Sequence, residues 1–235
     1  MTSSRARPDR SARRLASSWR VLGCVVIASV LPLWVGCSSA SPGVIDLEGS
    51  VVRFADNIPG RGSEGMGLPT DEQAGRFIDG IRAAQAGRPE RAGELVGPMD
   101  YRVRTVVDSD TGRTASVFEE QRAADGSWPH GWGMYVVARH PVRRLVVEVP
   151  HPVFDIGTAQ IGVAAFRKAG AAVLLVPGTH RYANRDGSSD VAHEDRTMFA
   201  RVNRALVAKG DVVLQPHGFD ADREAGEGAT NPDSS

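Results

Sequence analysis

The sequence predicts an α/β protein, a mixed sheet with a βαβαβ parallel core to which the N-terminal half adds antiparallel strands. Two patterns carry that prediction. Beyond residue 144, near-continuous apolar runs of strand length alternate with segments whose apolar residues recur at helical spacing, the mark of strands covered on both faces. Before residue 144, Tyr101–Val107 alternates like a half-buried strand and leads into the turn residues Asp110-Thr111-Gly112. A chain of 235 residues with 41% hydrophobic and 24% charged residues is a globular chain of about one domain.

The chain opens with an address. Arg5, Arg7, Arg10, Arg13, Arg14 and Arg20 stand against Asp9 alone, and Val21–Val35 is apolar apart from Gly23, Ser29 and Pro32. Gly36-Cys37 then meets the small polar stretch Ser38–Pro42. This resembles a bacterial lipoprotein signal over residues 1–36, which implies lipidation of Cys37 and a lipid-anchored protein on the extracytoplasmic face of the cell membrane. A plain secretory signal or an uncleaved anchor is the alternative. Residues 37–70, rich in Gly, Ser and Pro, read as a flexible tether with one strand near Val51, Val52 and Phe54.

A single domain is expected over residues 71–220. Thr70-Asp71-Glu72 caps a helix through Phe77, Ile78 and Ile81, and a short helix covers Glu90–Val96. Ser116–Glu120 and Trp132–Ala138 follow Tyr101–Val107 as antiparallel strands. Leu145–Val149 is the first strand of the parallel core. Thr158 caps a helix carrying Ala159, Val163 and Phe166, with Gly170 at its end. Ala171–Val176 is the second core strand. Asp190 caps a helix with Phe199, Val202 and Leu206, which stops at Gly210, and Val212–Leu214 is the third strand. Residues 221–235 are polar and read as a disordered tail or a truncation point.

Composition excludes several function classes. Lys plus Arg equals Asp plus Glu, 28 against 28, so no basic excess serves a nucleic-acid partner. The two cysteines, Cys24 and Cys37, precede the domain and leave it without a disulfide or a thiolate metal site. No Gly-x-Ser-x-Gly elbow, phosphate loop or dinucleotide fingerprint is present.

Histidine is the informative residue. Each expected parallel strand is followed by one: His151, His180 and His217. Ligands of open α/β sheets sit outside the carboxyl ends of the strands, and adjacent strands lie ~4.8 Å apart, so these side chains can converge. Asp155 lies four residues after His151. Two imidazoles and a carboxylate with an open position make a catalytic zinc site. The alternative is a set of loop-end histidines satisfied by backbone carbonyls. His130 and His140 read as surface residues.

The series His151–Thr158, Gly178–Asn184, Ser189–His193 and Pro216–Phe219 resembles bacterial zinc amidohydrolases of phosphorylase/hydrolase-like fold, near the poly-γ-glutamate hydrolases and more distantly zinc carboxypeptidases and N-formylglutamate amidohydrolases. The likeness covers roughly residues 144–220. It implies zinc held by His151, Asp155 and His217, and cleavage of an amide bond. Asp155 stands where Glu is commoner, and the late general base of carboxypeptidases would fall beyond Ser235.

Further roles follow. Arg181 pairs with a substrate carboxylate or is simply solvated. Asn184 orients a substrate amide or stabilises its own loop. Asp190 contacts substrate if it is not the helix cap. His193, in the first helical turn with Glu194 and Asp195, is the first choice for catalytic proton transfer and His180 the second. The expected protein is a lipid-anchored zinc amide hydrolase acting on peptides, amino-acid conjugates or envelope polymers. The alternative is a non-catalytic envelope lipoprotein that keeps the fold and binds a metal or ligand, or a truncated product of the same kind.

Overall fold

The computed structural model describes residues 41–218; the signal, Cys37 and the tail after Gly218 lie outside the described residues. The chain runs β1 (Gly43–Ile45), α1 (Leu47–Ala55), α2 (Asp71–Gln85), α3 (Pro89–Val96), a 3-10 turn (Gly97–Met99), β2 (Tyr101–Asp108), β3 (Thr114–Glu120), β4 (Met134–Ala138), β5 (Leu145–Glu148), α4 (Thr158–Ala169), β6 (Val173–Val176), α5 (Met198–Leu206) and β7 (Val212–Leu214). It is an α/β fold with one seven-stranded mixed sheet in the order β1-β2-β3-β4-β6-β5-β7. Among the described residues, no helix is long and apolar enough to cross a membrane.

Alternation along the strands feeds two apolar layers. Val147 and Leu174 pack with α1 and α4 through Leu47, Val51, Val163 and Phe166. Val146 and Leu175, on the opposite face, pack with α2 and α5 through Phe77, Ile81, Phe199 and Val202. β5 pairs in parallel with β6 (Val146↔Val173) and with β7 (Val146↔Val213). The core order is therefore β6-β5-β7. The chain leaves β5 through α4 on one face and enters β7 from α5 on the other, which makes the β5/β7 crevice a topological switch point.

The capping chemistry accounts for the helix ends. Thr70 and Gln73 form a reciprocal capping box at the start of α2. Two caps differ from expectation. Gly157, in the left-handed region at φ 82°, occupies the cap position of α4, and Thr158 instead donates its hydroxyl to the Asp155 carbonyl at 2.7 Å. Thr197, rather than Asp190, caps α5, which ends at Leu206 rather than Gly210. His193, Glu194 and Asp195 thus lie in turns before the helix, not in its first turn.

Residues 41–70 are not a bare tether. β1 pairs in parallel with β2, and Asp46 caps α1 by accepting the Gly49 N–H at 2.9 Å. Leu47, Val51 and Phe54, spaced i, i+4 and i+7, are all buried. Arg167 of α4 locks this corner, donating to both Asp108 carboxylate oxygens at 2.7 and 3.0 Å and reaching Glu48 at 3.4 Å.

Arg167→Ala leaves the Asp108 carboxylate, 5% exposed in its side chain, without its cation and with the Thr111 hydroxyl as its remaining side-chain donor, and is expected to lower the unfolding free energy by about 3 kcal/mol in urea titrations. Arg102→Ala, which removes a 58% exposed side chain, is expected to cost less than ~1 kcal/mol. Equal losses would show that the Arg167 pair is worth no more than a surface contact.

Candidate metal site

Two adjacent strand ends build the site. β5 runs through Val149-Pro150 into His151, and β7 through Gln215-Pro216 into His217. A turn closed by the Asp155 N–H on the His151 carbonyl, at 2.9 Å, brings Asp155 back toward its own histidine. The Asp155 Oδ2 atom lies 3.3 Å from His151 Nδ1 and 3.2 Å from His217 Nδ1. One ligand atom from each of the three residues falls within 4.8 Å of the others. His151 and Asp155 are buried, whereas the His217 side chain is 41% exposed and opens the group to solvent.

The outer nitrogens decide what the inner ones offer. His151 Nε2 lies 3.0 Å from Asp190 Oδ1, and His217 Nε2 lies 2.9 Å from Gln215 Oε1. The Gln215 amide is oriented by its own NH2, which donates to Glu148 Oε2 at 2.8 Å. With the hydrogen on Nε2, facing these acceptors, each imidazole turns its Nδ1 lone pair toward Asp155. Burial lowers the pKa of His151, aided by Arg181 and opposed by Asp190 and Asp155, so the ring stays in the neutral state that binds metals. In that tautomer two lone pairs and a carboxylate face one another, with ligand atoms within 4.8 Å, an arrangement that a cation among them relieves. The donor set thus fits a divalent metal ion, with the carboxylate–histidine support that metal-bound imidazoles use.

Asp190 is the hub beside this group. Its Oδ2 accepts from Arg181 at 2.6 Å and lies 3.2 Å from His193 Nδ1. Burial raises its pKa, but hydrogen bonds from His151, His193 and Arg181 outweigh that and hold it below the ordinary value. Asp190 is not the helix cap; its carboxylate is engaged by His151, Arg181 and His193 and is 15% exposed. Asn184 serves the loop alternative, its amide exchanging hydrogen bonds with the Met66 backbone and donating to Ser188 Oγ. Arg181 is not merely solvated: its guanidinium lies 5.1 Å from the ring centroids of both Phe154 and Tyr182. Its Nε is buried without a partner among the described residues.

His180 stands outside the three-residue group. Its Nδ1 accepts the Tyr182 N–H at 3.0 Å, and its ring meets Phe154 edge-on. Burial, Arg61 and Arg181 lower its pKa. The His193 side chain is 74% exposed. Glu194, expected to face a helix dipole, is clamped by Arg196, whose side chain and backbone N–H hold the carboxyl down to about 2. His130 is not a plain surface residue, since it stacks on Trp132 at 4.1 Å. Gln215, Glu148, Arg61, Phe154 and Tyr182 were not singled out from sequence. Gln215 had a signal, two residues before His217, and so did Glu148, an acid inside an apolar strand.

Asp190→Asn keeps the shape but removes the charge that supports His151. It is expected to weaken metal affinity by about 10–100-fold in competition with a chelating dye. Unchanged affinity would place Asp190 outside the support of the group.

Glu148 is 1% exposed, and burial lifts its pKa from 4.5 to about 6, against the opposing Gln215 hydrogen bond. A carboxyl that holds its proton more tightly when folded stabilises the fold most below pH 4.5. That advantage is lost as pH rises through about 6. Glu148→Gln is therefore expected to raise the unfolding free energy by about 2 kcal/mol at pH 7.5 and by almost nothing near pH 4. The same difference at both pH values would remove the buried charge as its cause.

No protein-family profile, curated protein or solved structure matches the chain.

Proposed function

We propose that this chain is a metal-dependent hydrolase of amide bonds, with zinc held by His151, Asp155 and His217. One observation carries the reading: two imidazole Nδ1 atoms and a carboxylate oxygen converge while their outer nitrogens are fixed by Asp190 and Gln215. When bound, zinc supplies Lewis acidity to an amide carbonyl and lowers the pKa of water. The chain's own residues supply the rest. Asp190 and the Gln215–Glu148 pair hold the ligand imidazoles in one tautomer. Arg181, with a spare Nε–H, and Arg61, 4.6 Å over Tyr182, offer cationic contacts to an anionic substrate group.

Proton transfer falls to His193. Asp190 is already engaged by His151, Arg181 and His193, and Glu194 by Arg196. The His193 side chain is 74% exposed, and its Nδ1 lies 3.2 Å from Asp190 Oδ2, which orients the ring. The same reading takes the fold as phosphorylase/hydrolase-like and the substrate as a peptide, amino-acid conjugate or envelope polymer. It places the protein outside the cytoplasm, anchored through lipid on Cys37. That no carboxylate beside the group is free to act as a base among the described residues favours a second reading, a metal-binding envelope protein without catalysis.

Metal analysis and kinetics separate these readings. His151→Ala and His217→Ala are each expected to abolish stoichiometric zinc, with His130→Ala and His140→Ala retaining it. His193→Ala is expected to keep zinc yet lower amide hydrolysis by about 10²–10⁴-fold. Absence of zinc in the wild-type protein sinks both readings. Zinc without hydrolysis of any peptide-like amide selects the second.

A further inference from the structure

On the α5 side of β5 and β7 lies a cleft of about 440 Å³, separate from the converging histidines and Asp155. Glu148 lines it, 1% exposed, with only Oε2 satisfied, by Gln215. Its Oε1 is buried and meets no partner among the described residues. Asn203 of α5 lines the same cleft, and its Oδ1 is likewise buried without a partner. A carbonyl or carboxylate oxygen left so costs about 1–3 kcal/mol. The unmet demand in this cleft is for donors.

The remaining wall narrows the chemistry. Glu194 and Asp195 also line the cleft, but each is paired with a guanidinium, Glu194 with Arg196 at 2.7 Å and Asp195 with the 63% exposed Arg204 at 3.4 Å, so the unpaired acceptors are those of Glu148 and Asn203. Phe199, Val207 and Val213 supply apolar surface. An occupant that fits is positive at one end, donates hydrogen bonds there, and carries an apolar arm. A divalent metal asks for about six oxygens, and a guanidinium presents five donors in a fixed plane. Two orphan acceptors suit neither. An ammonium has three rotatable N–H donors, and its charge matches the buried carboxylate.

We propose that this cleft binds a primary ammonium group on a short alkyl arm, with Glu148 and Asn203 as its acceptors. The cleft shares Glu148, Gln215 and His193 with the surroundings of the metal group but none of its three candidate ligands, so it does not rest on the hydrolase reading. Where that reading also holds, the cleft selects substrates that carry an amine.

The test is titration of n-pentylammonium into the full chain after dialysis against a chelator, followed by calorimetry and by amide NMR shifts. One saturable site with a Kd of about 1 mM or tighter is expected. Glu148→Gln, which keeps the side-chain shape, is expected to weaken binding by about tenfold or more, and Asn203→Ala by about threefold. Uncharged n-pentanol is expected not to bind, and His151→Ala to bind as the wild type does. No saturation by about 50 mM, unchanged binding in Glu148→Gln, or equal binding of pentanol would each overturn the proposal. Calcium binding that depends on Glu148, with none for the amine, would assign the cleft to a metal ion instead. Zinc measured on the same preparations before the chelator dialysis keeps the readings apart. Amine binding without zinc leaves the cleft standing and removes the metal reading, and zinc without amine binding does the reverse.

Discussion

β5 is hydrogen-bonded along both edges and covered on both faces, so its register has no freedom. A slip of one residue would put Val146 and Val147 into the wrong layers. It would also move Glu148 out of the α5 face and His151 off the end of the sheet. The candidate site inherits its geometry from that pairing, because β7 is held in the same register and delivers His217 beside His151. Side chains that must meet within a few ångströms are carried by adjacent strand ends rather than by long loops.

Burial then sets the electrostatics. Glu148, His151, Asp155 and Asp190 occupy one polar seam between two apolar layers, where an unpaired charge is expensive. The seam is closed by hydrogen bonds in series, from Glu148 through Gln215 to His217, and from His151 through Asp190 to Arg181. Two side-chain atoms of this seam, the Arg181 Nε and the Glu148 Oε1, are buried without a hydrogen-bond partner among the described residues, a state that calls for a water, an ion or a role.

The N-terminal segment supports this seam from outside. His180 donates its backbone N–H to the Pro59 carbonyl, and Gly62 and Glu64 donate to the carbonyls of Tyr182 and Ala183. With the Asn184–Met66 exchange, these bonds hold the long loop after β6 that carries Arg181 and Asp190. Glu120 plays a similar part on the other side, its carboxylate gathering the backbone N–H groups of His130, Gly131 and Trp132. A Cβ on Gly133 would collide with the Val176 carbonyl, so that loop closes tightly against the end of β6.

Much of this was legible in the sequence, because periodicity and capping are local properties. Apolar runs and helical spacing placed β2 to β7 and α2 to α4 within a few residues, whereas α5 is capped by Thr197 and not by the expected Asp190. The histidines after the core strands pointed to one end of the sheet, and His151, Asp155 and His217 do converge there. The strand expected near Val51, Val52 and Phe54 is instead the helix α1, because Leu47, Val51 and Phe54 recur at helical spacing and bury one face. The strand order was not legible, since β5 between β6 and β7 follows from which faces the helices cover. Nor was the role of Asp190, which sits 39 residues from the imidazole it orients. Sequence supplied the residue types that can hold a metal. Tertiary packing alone decided which nitrogen faces inward, which carboxylate supports it, and which buried oxygens are left without a donor, because those depend on contacts between segments far apart in the chain.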